Sequence, residues 1–290
     1  MFCGKCGKEL QEGARFCPVC GAENAQAGAA LQIIWKKKKK KWVVALAAVL
    51  VIAAVPVLVY NLLAGEWSVE GNTLVVEGDW SAWKPDEWGV PWDDLVGITE
   101  VHFDCKLGDS ASWIIPDNLG QSVEKITFGA IFDTSKVTDM NGMFWGCESL
   151  REMDLSNFDT SKVTDMSGMF GSCGSLTELD LSNFDTSNVQ DMSGMFNMFE
   201  LDVIGGSLVE LDLSSFDTSK VTDMGGMFGS CRSLTELDLS NFDTTNVTDM
   251  GYMFNDCNSL EELDLSRFDI SNETNVEGMF DECNASIIWE

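Results

Sequence analysis

The chain has 290 residues with 18 basic and 47 acidic side chains, a formal net charge of −29, and one histidine, His102. The length suits one or two domains with a sizeable core, and a lone imidazole argues against His-based metal catalysis and a Ser/His/Asp triad. The charge is split: residues 1–41 hold nine Lys/Arg against three Glu (+6), and residues 42–290 hold nine against 44 (−35). The acidic bulk repels phosphate backbones, so no nucleic-acid partner is expected.

The amino end carries Cys3-Gly-Lys-Cys6-Gly7 and, ten residues on, Cys17-Pro-Val-Cys20-Gly21. Two CxxC pairs supply four thiolates that can close one tetrahedral, structural zinc site. Phe2, Leu10, Phe16 and Val19 are too few for a metal-free core, so zinc binding would hold this segment together; two disulfides are the competing reading. The pattern resembles the short zinc ribbons at the start of many bacterial membrane proteins and covers residues 1–21.

Residues 22–41 read as a linker that ends in the basic run Lys36 to Lys41. Residues 42–64 carry no charge; as a helix they would span roughly 34 Å, enough to cross a bilayer. Lysines on the amino side predict a cytoplasmic N-terminus and an exported C-terminal part. A cleaved signal peptide fits less well, because the segment before the span is far too long. No cysteine follows the span closely, which argues against a lipoprotein anchor.

Residues 65–94 are Trp-rich and resemble the short β-module that precedes repeats in bacterial surface proteins, and residues 95–290 are predicted to form a solenoid. Phe132, Phe158, Phe184, Phe216, Phe242 and Phe268 each open a unit, at intervals of 26, 26, 32, 26 and 26 residues. These are termed units 1 to 6. A fixed period in the twenties is the mark of a stacked repeat architecture. In unit 2, Leu176-x-x-Leu179-Asp180-Leu181 predicts a strand with leucines inward and Glu178, Asp180 and Ser182 outward. Val163, Met166, Met169 and Phe170 predict a short helical turn, or a second short strand, whose apolar side closes the coil. Weaker copies at Ile98–Phe103 and Val123–Phe128 place the start of the solenoid near residue 95. The six extra residues of unit 3, within Asn197–Gly206, should bulge as a loop. The fold class is therefore a mainly β, or α/β, solenoid of ~26-residue coils.

The pattern FDTSxVTDMxxMFxxCxSLxxLDLS resembles the leucine-rich repeats of BspA-type bacterial surface proteins, also found in mycoplasma surface lipoproteins, over about residues 66–290. The resemblance implies surface display and attachment to host or neighbouring-cell components, with an extracellular protein or glycan as partner.

Stacking turns equivalent residues into columns. Cys147, Cys173, Cys231, Cys257 and Cys283 form one, read as buried free thiols with metal binding or disulfide staples as rivals. Asp154, Asp180, Asp212, Asp238 and Asp264, beside Glu152, Glu178, Glu210, Glu236 and Glu262, form an exposed acidic face. It is either solvated surface or a site for calcium or a basic partner, with Glu178 and Glu236 as the flanking candidates. Asp133, Asp159, Asp185, Asp217, Asp243 and Asp269 should bond turn backbones. His102 reads as an ordinary surface residue. Trp67, Trp80, Trp83, Trp88, Trp92 and Trp113 read as a cap on the open end, with sugar stacking as the alternative. Every carboxylate pair belongs to a repeated column, whereas a catalytic pair should be unique and perturbed, so no enzyme is expected. Two functions remain: a membrane-anchored surface interaction protein, or a transmembrane coupler that links an outside ligand to a cytosolic partner of the zinc ribbon.

Overall fold

The computed structural model describes residues 66–82, 90, 94–198, 206–271 and 274–289. The predicted zinc ribbon, basic run, membrane span and unit 3 bulge lie largely or wholly outside them. Among the described residues no helix is long and apolar enough to cross a membrane.

These residues wind into a β-solenoid. Strands β1 (Glu66–Glu70) and β2 (Thr73–Asp79) form an antiparallel hairpin, turned at Gly71 in the left-handed region, φ 68°. Strands β3 (Glu100–Lys106), β4 (Lys125–Phe128) and β5 (Glu152–Met153) then follow β2 in parallel. Parallel stacking sets like residues in register, so Leu74, Val101, Ile126 and Met153 form one column. The solenoid sheet thus already includes the second strand of the Trp-rich hairpin, upstream of the expected start at residue 95. At the far end β6 (Glu262–Asp264) pairs with β7 (Ser286–Ile288). The only helix among the described residues is α1 (Asp117–Gly120).

The hairpin covers the first coil, with Trp80 buried and Trp67 packed against the core. At the other end Trp289 meets Phe280 edge-on at 6.1 Å. Trp113 does not cap an end: it lies on the side of the stack, 43% exposed. Trp83, Trp88 and Trp92 lie outside the described residues.

Regular strand pairing on the leucine side occurs at the two ends of the stack, in β2–β5 and β6–β7. The bridge that recurs coil after coil falls instead in the Val-Thr-Asp-Met segment, through Asp139, Asp165, Asp191, Asp223, Asp249 and Asn275. Beyond each Asp the amides take turns. In unit 1, Met140, Gly142 and Phe144 donate to carbonyls of unit 2, while Met143, Trp145 and Cys147 donate to carbonyls three residues back. This segment is a chain of tight turns stitched to its neighbour, and not a helix. The alternation goes with positive φ in two columns, one filled by Gly142, Gly168, Gly194, Gly226 and Gly278, and by Tyr252 in unit 5, and a second, four residues on, filled by Gly146, Ser172, Ser230, Asp256 and Glu282. Only glycine takes that conformation without steric cost. The apolar residues of the segment are buried as their spacing predicts, Met166, Met169 and Phe170 among them.

Two buried columns hold coil to coil. Phe144, Phe170, Phe196, Phe228, Phe254 and Phe280 stack with ring centroids 5.7–5.9 Å apart; each such pair is worth about 0.5–1.5 kcal/mol beyond its area. Thr134, Thr160, Thr186, Thr218 and Thr244 are buried polar residues, and each hydroxyl grips one residue of the next coil. Thr186 Oγ1 accepts the N–H of Asp217 at 2.8 Å and donates to the Asp217 carbonyl at 3.0 Å. The other four make the same pair of bonds to Asp159, Asp185, Asp243 and Asp269. The hydroxyl thus does the work of a backbone rung where the chain turns too sharply for a strand.

Thr186→Val keeps the shape and leaves the Asp217 N–H without its acceptor. It should lower unfolding free energy by about 1–3 kcal/mol, whereas Thr186→Ser should stay near wild type; urea denaturation followed by far-UV circular dichroism checks both.

Candidate functional site: a glycine-floored groove

The acidic columns are bonded into the chain. Asp154, Asp180, Asp212, Asp238 and Asp264 are exposed, and each Oδ1 accepts the N–H of the serine two residues on at 2.9–3.0 Å. Hydrogen bonds from Ser156 hold the Asp154 carboxyl below the usual range, outweighing repulsion from Asp180. The second column behaves alike: Asp159 Oδ1 accepts the Ser161 N–H at 3.1 Å and its hydroxyl at 2.6 Å. A third column, unmarked in the sequence reading, repeats the device, with Ser167 and Ser193 donating to Asp165 and Asp191. Each coil turns its corners on Asp-x-Ser units, in which a side-chain oxygen mimics a backbone turn. Glu178 and Glu236 are exposed beside the first column. Among the described residues no three His, Cys, Asp or Glu side chains converge closely enough to hold a metal ion.

The six described cysteines are free, and five of them are buried. Cys173 and Cys231 donate their S–H to the carbonyls of Phe144 and Phe196, each at 3.2 Å, and burial pushes both thiols up to about 12. They are protonated at neutral pH and poor nucleophiles. His102 Nδ1 lies 2.8 Å from Thr127 Oγ1, its column neighbour.

What departs from the repeat is the outer face of the tight turns. In unit 1, Trp145 lies over unit 2, with ring atoms 2.8 Å and 2.1 Å from where a Cβ on Gly168 or Gly171 would stand. Trp113 covers Gly142 in the same manner, at 2.7 Å, and the two indoles meet at 5.9 Å. In unit 3 the position of Trp145 is taken by Asn197, a far smaller side chain. Unit 4 presents glycine at all three outer positions, Gly225, Gly226 and Gly229. The result is a groove of about 700 Å³, floored by these glycines and Gly251, with Asn197 on one side and Tyr252, 49% exposed, on the other.

Asp223 and Asp249 line the same groove. Gly225 replaces the serine of units 2 and 3, so Asp223 has its N–H bond at 2.8 Å but no hydroxyl donor. Burial raises its pKa, and Asp191 and Asp249 add to the rise. Asp249 is better served, because the amide of Asn275 donates to both its oxygens at 3.0 Å. The signal for the groove was in the sequence as departures from the repeat: Gly225 for Ser, Tyr252 for Gly, Asn197 for Trp or Gly.

Because Asp223 has a raised pKa in the fold, its ionised form opposes folding; that penalty is present above the folded pKa and vanishes below the unfolded value of about 3.9. Asp223→Asn should therefore raise the melting temperature at pH 7, by no more than about 1 kcal/mol in stability because solvent screens a half-exposed carboxylate. The gain should fade as pH falls through the raised folded pKa and be gone below about 4, which calorimetry across pH checks.

Among known families, the model described as "Mycoplasma protein of unknown function, DUF285" matches residues 119–203 and 198–286, and a zinc-ribbon domain model matches residues 2–24. The second match contains Cys3, Cys6, Cys17 and Cys20. No curated protein and no solved structure matches the chain. With more than half of its length matched, the chain belongs to the DUF285 repeat family and carries a zinc-ribbon segment at its amino end.

Proposed function

We propose that this protein is anchored in a bacterial membrane by residues 42–64 and displays its repeat solenoid outside the cell, where the solenoid binds a protein or cell-surface partner. The observation that carries the reading is a regular stack whose repeated acidic residues serve its own corners, while one stretch of surface breaks the repeat to form a groove. A scaffold of repeats offering one irregular surface suits recognition better than chemistry, since repeat columns supply no unique acid/base pair. Membership of a repeat family and the uncharged 23-residue stretch behind six lysines support the display half of the reading. At the amino end, Cys3, Cys6, Cys17 and Cys20 are proposed to hold one structural zinc ion, with four thiolates leaving no open position for catalysis. The leucine pattern supports a kinship with BspA-type repeats. Calcium on the acidic face loses ground, because each Asp of that face already gives one oxygen to a turn amide.

Epitope tags at both ends of the full-length protein, probed on intact cells, test the display half. Antibody should reach the C-terminal tag and not the N-terminal one; a C-terminal tag reached only after permeabilisation contradicts the proposal. Cys17→Ser with Cys20→Ser should abolish the zinc, about one ion per chain expected from a four-thiolate site, as read by elemental analysis.

A further inference from the structure

The groove in unit 4 resembles a seat that the molecule fills with its own indoles elsewhere. Trp113 on Gly142, and Trp145 on Gly168 and Gly171, lie so close that no Cβ could stand beneath them. Glycine at these points is a landing surface for a flat ring, whose face gains contact along exposed backbone. Gly226 and Gly229 occupy the columns of Gly168 and Gly171, and Gly226 shares the left-handed conformation of Gly168, both at φ 61°. Over them stands only the Asn197 amide, its Nδ2 3.0 Å from each would-be Cβ. Tyr252 adds an aromatic wall in reach of an incoming ring or cation. At the edge, Asp223 offers a carboxylate that lacks the serine hydroxyl donor of Asp165 and Asp191, beside Asp249 and in a strongly acidic chain. A positive group there relieves the repulsion along the row.

We infer that this groove receives a tryptophan side chain of a partner polypeptide, with a neighbouring lysine or arginine of that partner set against Asp223. The inference rests on the interaction reading above and names its site and the chemistry of its partner. The chain's own indoles select an aromatic ring, and the carboxylate row selects a basic neighbour.

The test is a titration of the ¹⁵N-labelled full-length protein with the tripeptide amide Lys-Trp-Lys, set against Lys-Gly-Lys and maltotriose. Lys-Trp-Lys should shift the amides of Gly226, Gly229 and Gly251 saturably, and Lys-Gly-Lys should bind at least about tenfold more weakly. Asn197→Trp installs the indole that unit 1 already carries; it should weaken Lys-Trp-Lys by about tenfold or more without lowering the melting temperature. Asp223→Asn should weaken the peptide by about threefold while leaving N-acetyltryptophanamide unchanged, although the same variant is the more stable protein. Equal binding of the two peptides, an Asn197→Trp protein that is folded and binds as before, or maltotriose moving these amides while Lys-Trp-Lys does not, would each overturn the inference. Should Asn197→Trp misfold, Gly229→Leu, which fills the floor from below, serves in its place with the same required loss. Failure of these titrations with the C-terminal tag still exposed on cells would sink the groove and spare surface display; an internal tag with intact titrations would do the reverse.

Discussion

Coil-to-coil register is the constraint on which everything else in this molecule depends. A solenoid coil of ~26 residues cannot bury its own apolar side, so each coil is stable only against a neighbour that presents the same residue at the same height. Here the register is fixed by polar and aromatic columns together. The threonine hydroxyl grips both the N–H and the carbonyl of one residue in the next coil, and a slip of one residue would leave it and that amide unpaired in the core. The phenylalanine column adds stacking that also needs identical neighbours. Unpaired buried polar groups cost more than paired ones gain, so the threonines specify the register while the rings and leucines supply the bulk of the burial.

The same economy explains how a chain of net charge −29 remains compact. Aspartates stacked one above another repel, yet most of them here accept a turn amide, and often a serine hydroxyl, that stabilise the ionised form. Asp223 is the instructive exception: burial raises its pKa, Asp191 and Asp249 add to the rise, and with Gly225 two residues on it has a turn amide but no hydroxyl donor to set against them. Sites in a repeat protein are thus made by subtraction, where a coil lacks something that its neighbours have.

Much of the architecture was legible because repetition makes it so. The 26-residue interval between phenylalanines gave the coil, the alternating leucines gave the buried face, and Asp-Thr-Ser gave the turn bonds found at Asp159 and its equivalents. The Val-Thr-Asp-Met segment was harder. Its apolar spacing fits a helical turn, whereas positive φ at Gly168 and Ser172 and in their columns makes the chain turn and bond outward at alternate residues. Backbone handedness leaves no mark on hydrophobic periodicity, though a glycine at a fixed place in five of six units was a hint of it. The exposed acidic column suggests a cation site by charge alone, whereas the serine two residues on already engages each carboxylate. The groove was overlooked because it is built from residues that break the pattern, and a reading by consensus averages those away. Trp113 was grouped with the capping tryptophans by composition, whereas its ring serves as a lid on Gly142.

The most direct test of the register argument is native-state hydrogen exchange on the full-length protein, followed at single amides. Asp159, Asp185, Asp217 and Asp243 carry the amides bonded to threonine hydroxyls across coils. These amides sit at turns, which normally open at little cost. If the threonine column fixes the register, they should exchange only through global unfolding, at the same free energy as the amides of Phe170 and Phe196 in the stacked core. Exchange at the faster rate of frayed turns, with the phenylalanine amides still protected, would contradict the account and leave apolar burial alone to set the stack.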